Sequence, residues 1–215
     1  MIIAVAIVLG IGAMSAYATL ADDATPPVTT AGVAASYAGD VTFNLSAADA
    51  AGVAYVYHRF DMGVARLYTV ATDTVSLSVA IPVPTQKDAP LSIGMHTVKF
   101  WAQDVNGNVE VQNTATFTVS PALTLARSVP LVAARKYFTL SGTLKPAGVY
   151  KVLIQAKKPG TSAFRTLASR TTDATGAYSC RYRTSIKGTW WFRAQFTDTP
   201  TALSALSPTV RVRVK

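Results

Sequence analysis

The chain has 215 residues, half of them apolar and 14% charged, and its 20 Lys and Arg against 11 Asp and Glu give a net charge of +9. That balance excludes a disordered polyelectrolyte and suits one large domain or two of about 100 residues. One cysteine, Cys180, and two histidines, His58 and His96, exclude an intrachain disulfide and a zinc site built from Cys and His alone.

Residues 1–18, MIIAVAIVLGIGAMSAYA, are an apolar run ending in Ala16-Tyr17-Ala18, the small-x-small pattern of a signal-peptidase site. The pattern predicts an export signal cleaved after Ala18, although no Lys or Arg precedes the run. The rival reading is an uncleaved anchor from Met1 to Ala21, about long enough to span a bilayer. Either places the remainder outside the cytoplasm, secreted or at the cell surface, with the membrane met only through this segment if it is retained.

Beyond the leader no long stretch has helical periodicity, whereas strand-like alternation punctuated by Gly, Pro, Asn and Asp recurs throughout. Pro26 and Pro27 lock φ, so DATPPVTT enters extended. VTFNLSA places Val41, Phe43 and Leu45 on one face, and GVAYVYHRFD, ARLYTVA and TVSLSVAIPV read as further strands. HTVKFWAQD and NVEVQNTATFTV follow, their alternation setting Val98, Phe100 and Ala102 against Val109, Val111, Ala115, Phe117 and Val119 in a core.

Where those two strands join, WAQDVNGNVEVQ spaces Asp104, Asn106, Asn108 and Glu110 around Gly107 like the start of a calcium loop. An EF-hand needs Gly at position 6 and Glu at position 12. Counted from Asp104 those positions are Val109 and Ala115, so that reading fails. Asn106-Gly107 instead predicts a type I′ hairpin, with Asp104 and Asn108 bonded to turn backbone. A different calcium arrangement stays open, with Asp49 from SAADAAG joining Asp104 and Asn108 across separate loops. Its alternative is a network of carboxylate-to-backbone hydrogen bonds.

TVSPALTL, residues 118–125, is the predicted boundary, with Pro121 ending the first unit. Residues 19–121 hold four bases and nine acids, 4 − 9 = −5, and residues 122–215 hold 16 bases and two acids, 16 − 2 = +14. The expected organisation is therefore a leader over 1–18, an acidic domain over 19–121 and a strongly basic domain over 122–215.

In the second half FTLSGTL, YKVLIQAKK, FRTLASRT, AYSCRYRT, TWWFRAQF and PTVRVRVK alternate, separated by the turns PAGV, KPGTSA, DATG and IKG. With Val152, Ile154, Val210, Val212 and Val214 inward, Lys151, Lys157, Arg211, Arg213 and Lys215 point outward. Arg181 and Arg183 do so opposite Cys180, and Trp191 and Arg193 opposite Trp190 and Phe192. Lys151, Lys157, Arg181, Arg183, Trp191, Arg193, Arg211 and Arg213 are thus a candidate surface for an anionic cell-wall polymer or glycan. The alternative is a solvated face whose Lys and Arg keep strand edges from pairing. The charge also suits nonspecific nucleic-acid binding, but an exported chain rarely meets that partner, and no specific nucleic-acid partner is expected.

Catalytic signals are weak. No Gly-x-Ser-x-Gly elbow occurs, His58 and His96 share the inward parity of their strands, and Cys180 sits on a core face. No catalytic residue and no cofactor other than calcium is expected.

Two segments carry a resemblance. TPPVT, VTFNLSAADAAGVAYVYHRFD and GMHTVKFWAQDVNGNVEVQNTATFTV resemble the Ig-like modules repeated in secreted and surface proteins of bacteria and archaea. FTLSGTLKP, KKPGTSAFRTL, TDATGAYSCRY, GTWWFRAQF and VRVRVK are similar to an Ig-like or fibronectin-like module at the C-terminal ends of such proteins. The resemblance implies an all-β chain of two tandem Ig-like β-sandwiches, used as non-enzymatic stalks, spacers or adhesion modules that meet other surface proteins. Such pairs also accompany secreted hydrolases, so the accessory C-terminal region of a glycoside hydrolase or protease is the alternative.

Overall fold

A computed structural model describes residues 23–69, 76–83, 91–198 and 203–215. The expected leader lies outside the described residues. Among those described there is no helix, and so none long and apolar enough to cross a membrane.

The first unit contains β1 (Val28–Ala31), β2 (Ser36–Ala38), β3 (Val41–Ala48), β4 (Val53–Phe60), β5 (Arg66–Thr69), β6 (Ser76–Val83), β7 (Gly94–Asp104) and β8 (Asn113–Ser120). They form one sheet of order β1-β3-β6 and a second of order β2-β8-β7-β4-β5. All pairings are antiparallel except β2 with β8, which is parallel. The chain thus leaves one sheet after β1 and joins the other at β2. Val41, Phe43, Leu45 and Ala47 of β3 pack across the gap on Val56, Val98, Phe100, Ala102, Phe117 and Val119, all buried. Strict alternation in VTFNLSAA is what lets β3 bury four side chains on one face.

The second unit repeats this plan. Its strands are β9 (Ala122–Leu123), β10 (Ala126–Arg127), β11 (Leu131–Val132), β12 (Phe138–Lys145), β13 (Lys151–Lys157), β14 (Arg165–Thr171), β15 (Ala177–Tyr182), β16 (Gly188–Thr197), β17 (Ser204–Leu206) and β18 (Val210–Val214). One sheet runs β10-β12-β15 with β9 also on β12, and the other runs β11-β18-β16-β13-β14 with β17 also on β16. Again an early strand, β11, lies parallel to the last, β18. Leu140, Leu144, Ile154, Trp190, Phe192 and Val212 fill the space between. Two facing open sheets with a sheet-switching first strand make each unit an Ig-like β-sandwich.

The units touch where the chain passes between them. Asp40 pairs with Lys145 at 3.3 Å, and Ile93 of the first unit is buried in the second unit's apolar cluster.

Two expectations about the β7–β8 junction are corrected. Val109 and Val111 are 52% and 87% exposed rather than core. The β8 ladder begins only at Asn113, so parity does not extend back through the loop. The turn is not type I′, because Asn106 does not have positive φ and Gly107 alone does, at 94°. Gly107 N–H reaches the Asp104 carbonyl at 3.4 Å and Asp104 N–H the Asn108 carbonyl at 3.1 Å. That is a turn centred on Val105 and Asn106, closed by a left-handed glycine.

Candidate functional sites

At one end of the first sandwich the β7–β8 turn folds around Asp104, which is 2% exposed. Its Oδ1 accepts from the N–H groups of Asn106 at 2.9 Å and Asn108 at 2.7 Å, the turn chemistry expected from the sequence. Asp49, from the β3–β4 loop, accepts from Ala51 N–H at 2.8 Å. The fold brings these two carboxylates together with a third that sequence reading missed, Asp23, with oxygens all within 4.8 Å. Thr25 holds the Asp23 carboxyl below its ordinary pKa through its hydroxyl and its N–H. Asp23 Oδ2, however, is buried with no hydrogen-bond partner. The Asn108 side chain, expected to bond turn backbone as well, instead meets the cluster: its amide nitrogen donates at 2.6 Å to both Asp104 Oδ2 and the Asp23 carbonyl.

Glu110 turns inward instead of completing the calcium-like spacing. Its carboxylate accepts from Thr29 N–H at 2.8 Å, Thr29 Oγ1 at 2.5 Å, Ala102 N–H at 3.1 Å and Asn113 Nδ2 at 2.7 Å. It thereby clasps β1 to β7 across the sandwich edge and displaces Val109 and Val111 outward. Glu110→Gln puts an NH₂ group where donors converge, and urea unfolding is expected to show a loss of about 2 kcal/mol.

The histidines are both buried but differ. His96 Nδ1 lies 2.8 Å from Asp61 Oδ2 and Nε2 lies 2.8 Å from the Ser92 carbonyl. His58 has no partner for either ring nitrogen. It stacks on Tyr68 at 5.4 Å and meets the edge of Phe60 at 5.2 Å. Burial, helped by the Arg66 charge, pushes its pKa down to about 4. Neither residue offers a nucleophile–base arrangement. Cys180 is buried and takes a contact from Arg170 at 3.4 Å.

On the second sandwich the outward residues of β18, β16 and β13 line up. Arg211 pairs with Trp191 and Trp191 with Lys157, giving a row across three strands. The Trp191 ring lies 5.3 Å from Lys157 Nζ and 5.9 Å from the Arg211 guanidinium. The Arg193 guanidinium lies 4.2 Å from the Phe164 ring, with Nε donating to Gln155 at 2.8 Å. Arg213 stands beside Thr189 in the same ladder.

The other sequence candidates fall elsewhere. Lys151 is exposed at the far end of β13, roughly 20 Å from Lys157 by strand rise. Arg181 lies in β15 of the opposite sheet and Arg183 just past that strand's end, and their guanidiniums lie 4.4 and 5.0 Å from the exposed Tyr137 ring. The eight residues are therefore two separate aromatic–cation groups and one outlying lysine. Phe164, which sequence reading did not include, contributes to the larger group; its position just before a basic strand was the available signal.

Fold and sites together define a tandem pair of Ig-like β-sandwiches with an acidic loop end on the first unit and a basic sheet face on the second. No protein-family model matches the chain, and no curated protein does. Solved structures similar to it include a tetra-tandem repeat in the extending region of a large adhesion protein, at TM-score 0.42 and 22% identity over 88% of this chain and 50% of that one. Dimeric latent PorU from Porphyromonas gingivalis matches at TM-score 0.38 and 14% identity, covering 90% of this chain and 20% of that one. The fibronectin(III)-like modules of Clostridium thermocellum CbhA match at TM-score 0.30 and 13% identity, over 87% of this chain and 93% of theirs. The chain thus spans half of the adhesion repeat and a fifth of the PorU chain.

Proposed function

We propose that the chain is a non-enzymatic, extracellular spacer or adhesion module whose second sandwich docks an anionic envelope polymer or acidic glycan. The observation that carries this is the Arg211–Trp191–Lys157 row, flanked by Arg193 and Arg213 on the same face. Cations held against aromatic rings present charge and a stacking surface together, and residues 122–215 contain only two acids to offset 16 bases. The test is retention of the whole chain on immobilised anionic cell-wall polymer. Wild type is expected to bind and to elute at moderate salt, Arg211→Glu with Arg213→Glu to lose at least about tenfold in affinity, and Arg181→Glu with Arg183→Glu to keep most of it. Equal loss from both double variants would reduce the reading to bulk charge.

The convergence of Asp23, Asp49 and Asp104, with one buried carboxylate oxygen unpartnered, favours a second reading for the first sandwich. Three carboxylates so close repel unless a cation or a proton intervenes, and their hard oxygens, carried on separate loops, suit Ca²⁺. Bound there, calcium would tie the entering chain to the loop end and stiffen the module. Millimolar Ca²⁺ is expected to raise the melting midpoint, with Asp23→Asn removing the effect. No shift in the wild type would end the calcium reading and leave the docking face untouched.

A further inference from the structure

Beside the basic row, the edge of the second sandwich opens into a cleft of about 400 Å³ lined by Arg127, Pro130, Thr189, Arg211 and Arg213. The three guanidiniums come from different places. Arg127 ends β10 in one sheet, while Arg211 and Arg213 are alternate residues of β18 in the other. The Pro130 carbonyl accepts from Arg213 N–H at 2.9 Å, which seats the β10–β11 connection against β18 and brings Arg127 to the sheet face. Among the described residues none of the three arginines makes an ion pair, and Arg127 and Arg213 make no side-chain hydrogen bond. Of the two acids in residues 122–215, Asp173 is engaged by Thr175 and Ala177.

Three cations lining one cleft repel one another, and no ion pair among the described residues offsets that charge. The Thr189 side chain adds a hydroxyl donor on the same wall. We infer that this cleft is a binding site for a phosphate group, carried by the polyanion that docks on the adjacent face. The inference rests on that docking reading for its source and on the cleft for its chemistry. Three guanidinium forks offer more N–H donors than the two oxygens of a planar carboxylate accept, whereas a tetrahedral phosphate presents oxygens in several directions. Arg211 belongs to both the cleft and the Trp191 row, so a phosphate seated here leaves the next unit of a polymer over the Trp191 ring.

The experiment uses the full chain and Arg127→Gln, a residue outside the Trp191 row. Titration with inorganic phosphate at constant ionic strength is expected to show saturable binding in the wild type and a loss of about fivefold or more in the variant. Poly(glycerol phosphate) is expected to bind about tenfold more tightly than polygalacturonate of matched charge, and Arg127→Gln to abolish that preference while keeping the polygalacturonate affinity. Absence of saturable phosphate binding, or phosphate affinity unchanged in Arg127→Gln, overturns the site. Saturable phosphate binding without a preference for the phosphate polymer overturns the polymer as its source. If the wild type binds neither polymer, the docking reading fails, and inorganic phosphate alone still decides the cleft. Should Arg127→Gln not melt cooperatively, Arg127→Lys, which keeps the charge and loses the fork, carries the same comparison.

Discussion

Gly142→Ala is expected to destabilise the second sandwich by about 3–5 kcal/mol, among the largest effects of any single substitution in the chain. Gly142 lies in β12 directly opposite Tyr178 of β15. The Tyr178 side chain lies back across the glycine, and its hydroxyl donates to the Thr124 carbonyl on the far side. A Cβ at residue 142 would collide with that carbonyl and would stand 2.5 Å from the Tyr178 oxygen and 2.8 Å from Cζ. The backbone here is ordinary strand, so the constraint is space alone. Relief requires β9–β10 to move off β12 or the tyrosine to leave its seat. Tyr178 is buried, and that burial pushes its pKa far up. Tyr178→Phe, which keeps the ring and loses the hydrogen bond, is expected to cost only about 1 kcal/mol. Denaturant titration of both variants checks the contrast, and a mild Gly142→Ala phenotype would mean that the Tyr178–Thr124 bridge is dispensable.

The second large effect depends on pH. His58 is 1% exposed among Phe60, Tyr68 and Phe100, and neither ring nitrogen has a partner. Its pKa in the fold is about 4, against an ordinary value of 6.5. The unfolded chain therefore takes up the proton first as pH falls. Stability is whole above pH 6.5, declines between there and about 4, and loses nothing further from this residue below that. The loss attributable to His58 is about 3 kcal/mol. His58→Phe keeps the ring packing, removes the buried polar atoms and cannot titrate. It is expected to gain about 1 kcal/mol at neutral pH and to hold that advantage plus the acid loss at pH 4. Urea midpoints measured from pH 7 down to pH 4 decide the matter, and parallel curves for wild type and variant would exclude His58 as the titrating group.

These two residues show what sequence did and did not reveal. The inward parity of His58 was readable because period-two alternation is a local property of a strand. The same logic correctly separated Trp190 from Trp191 and placed Cys180 in the core. Its reach ended where the chain left a ladder. Val109 and Val111 keep the parity of Phe117 but lie before β8 begins, where Glu110 is drawn inward by Thr29, 81 residues away. Asp23 joined the acidic cluster through contacts spanning 85 residues, which no spacing encodes. Parity also says whether a side chain faces in or out but not which sheet carries it. That is why Arg181, with Arg183 just beyond its strand, could not be told from Arg211 and Arg213, and why Arg127, on a two-residue strand, gave no signal at all.

The parallel pairing of β2 with β8 and of β11 with β18 bears on how such a chain carries force. In each unit an early strand and the final strand run side by side in the same direction. A pull applied at the two ends of the unit therefore drags these strands past each other. Their hydrogen bonds lie across the line of tension and must break together, whereas a hairpin pulled from its open end gives way one rung at a time. Each sandwich is thus arranged so that stretching along the chain loads its early and final strands in shear.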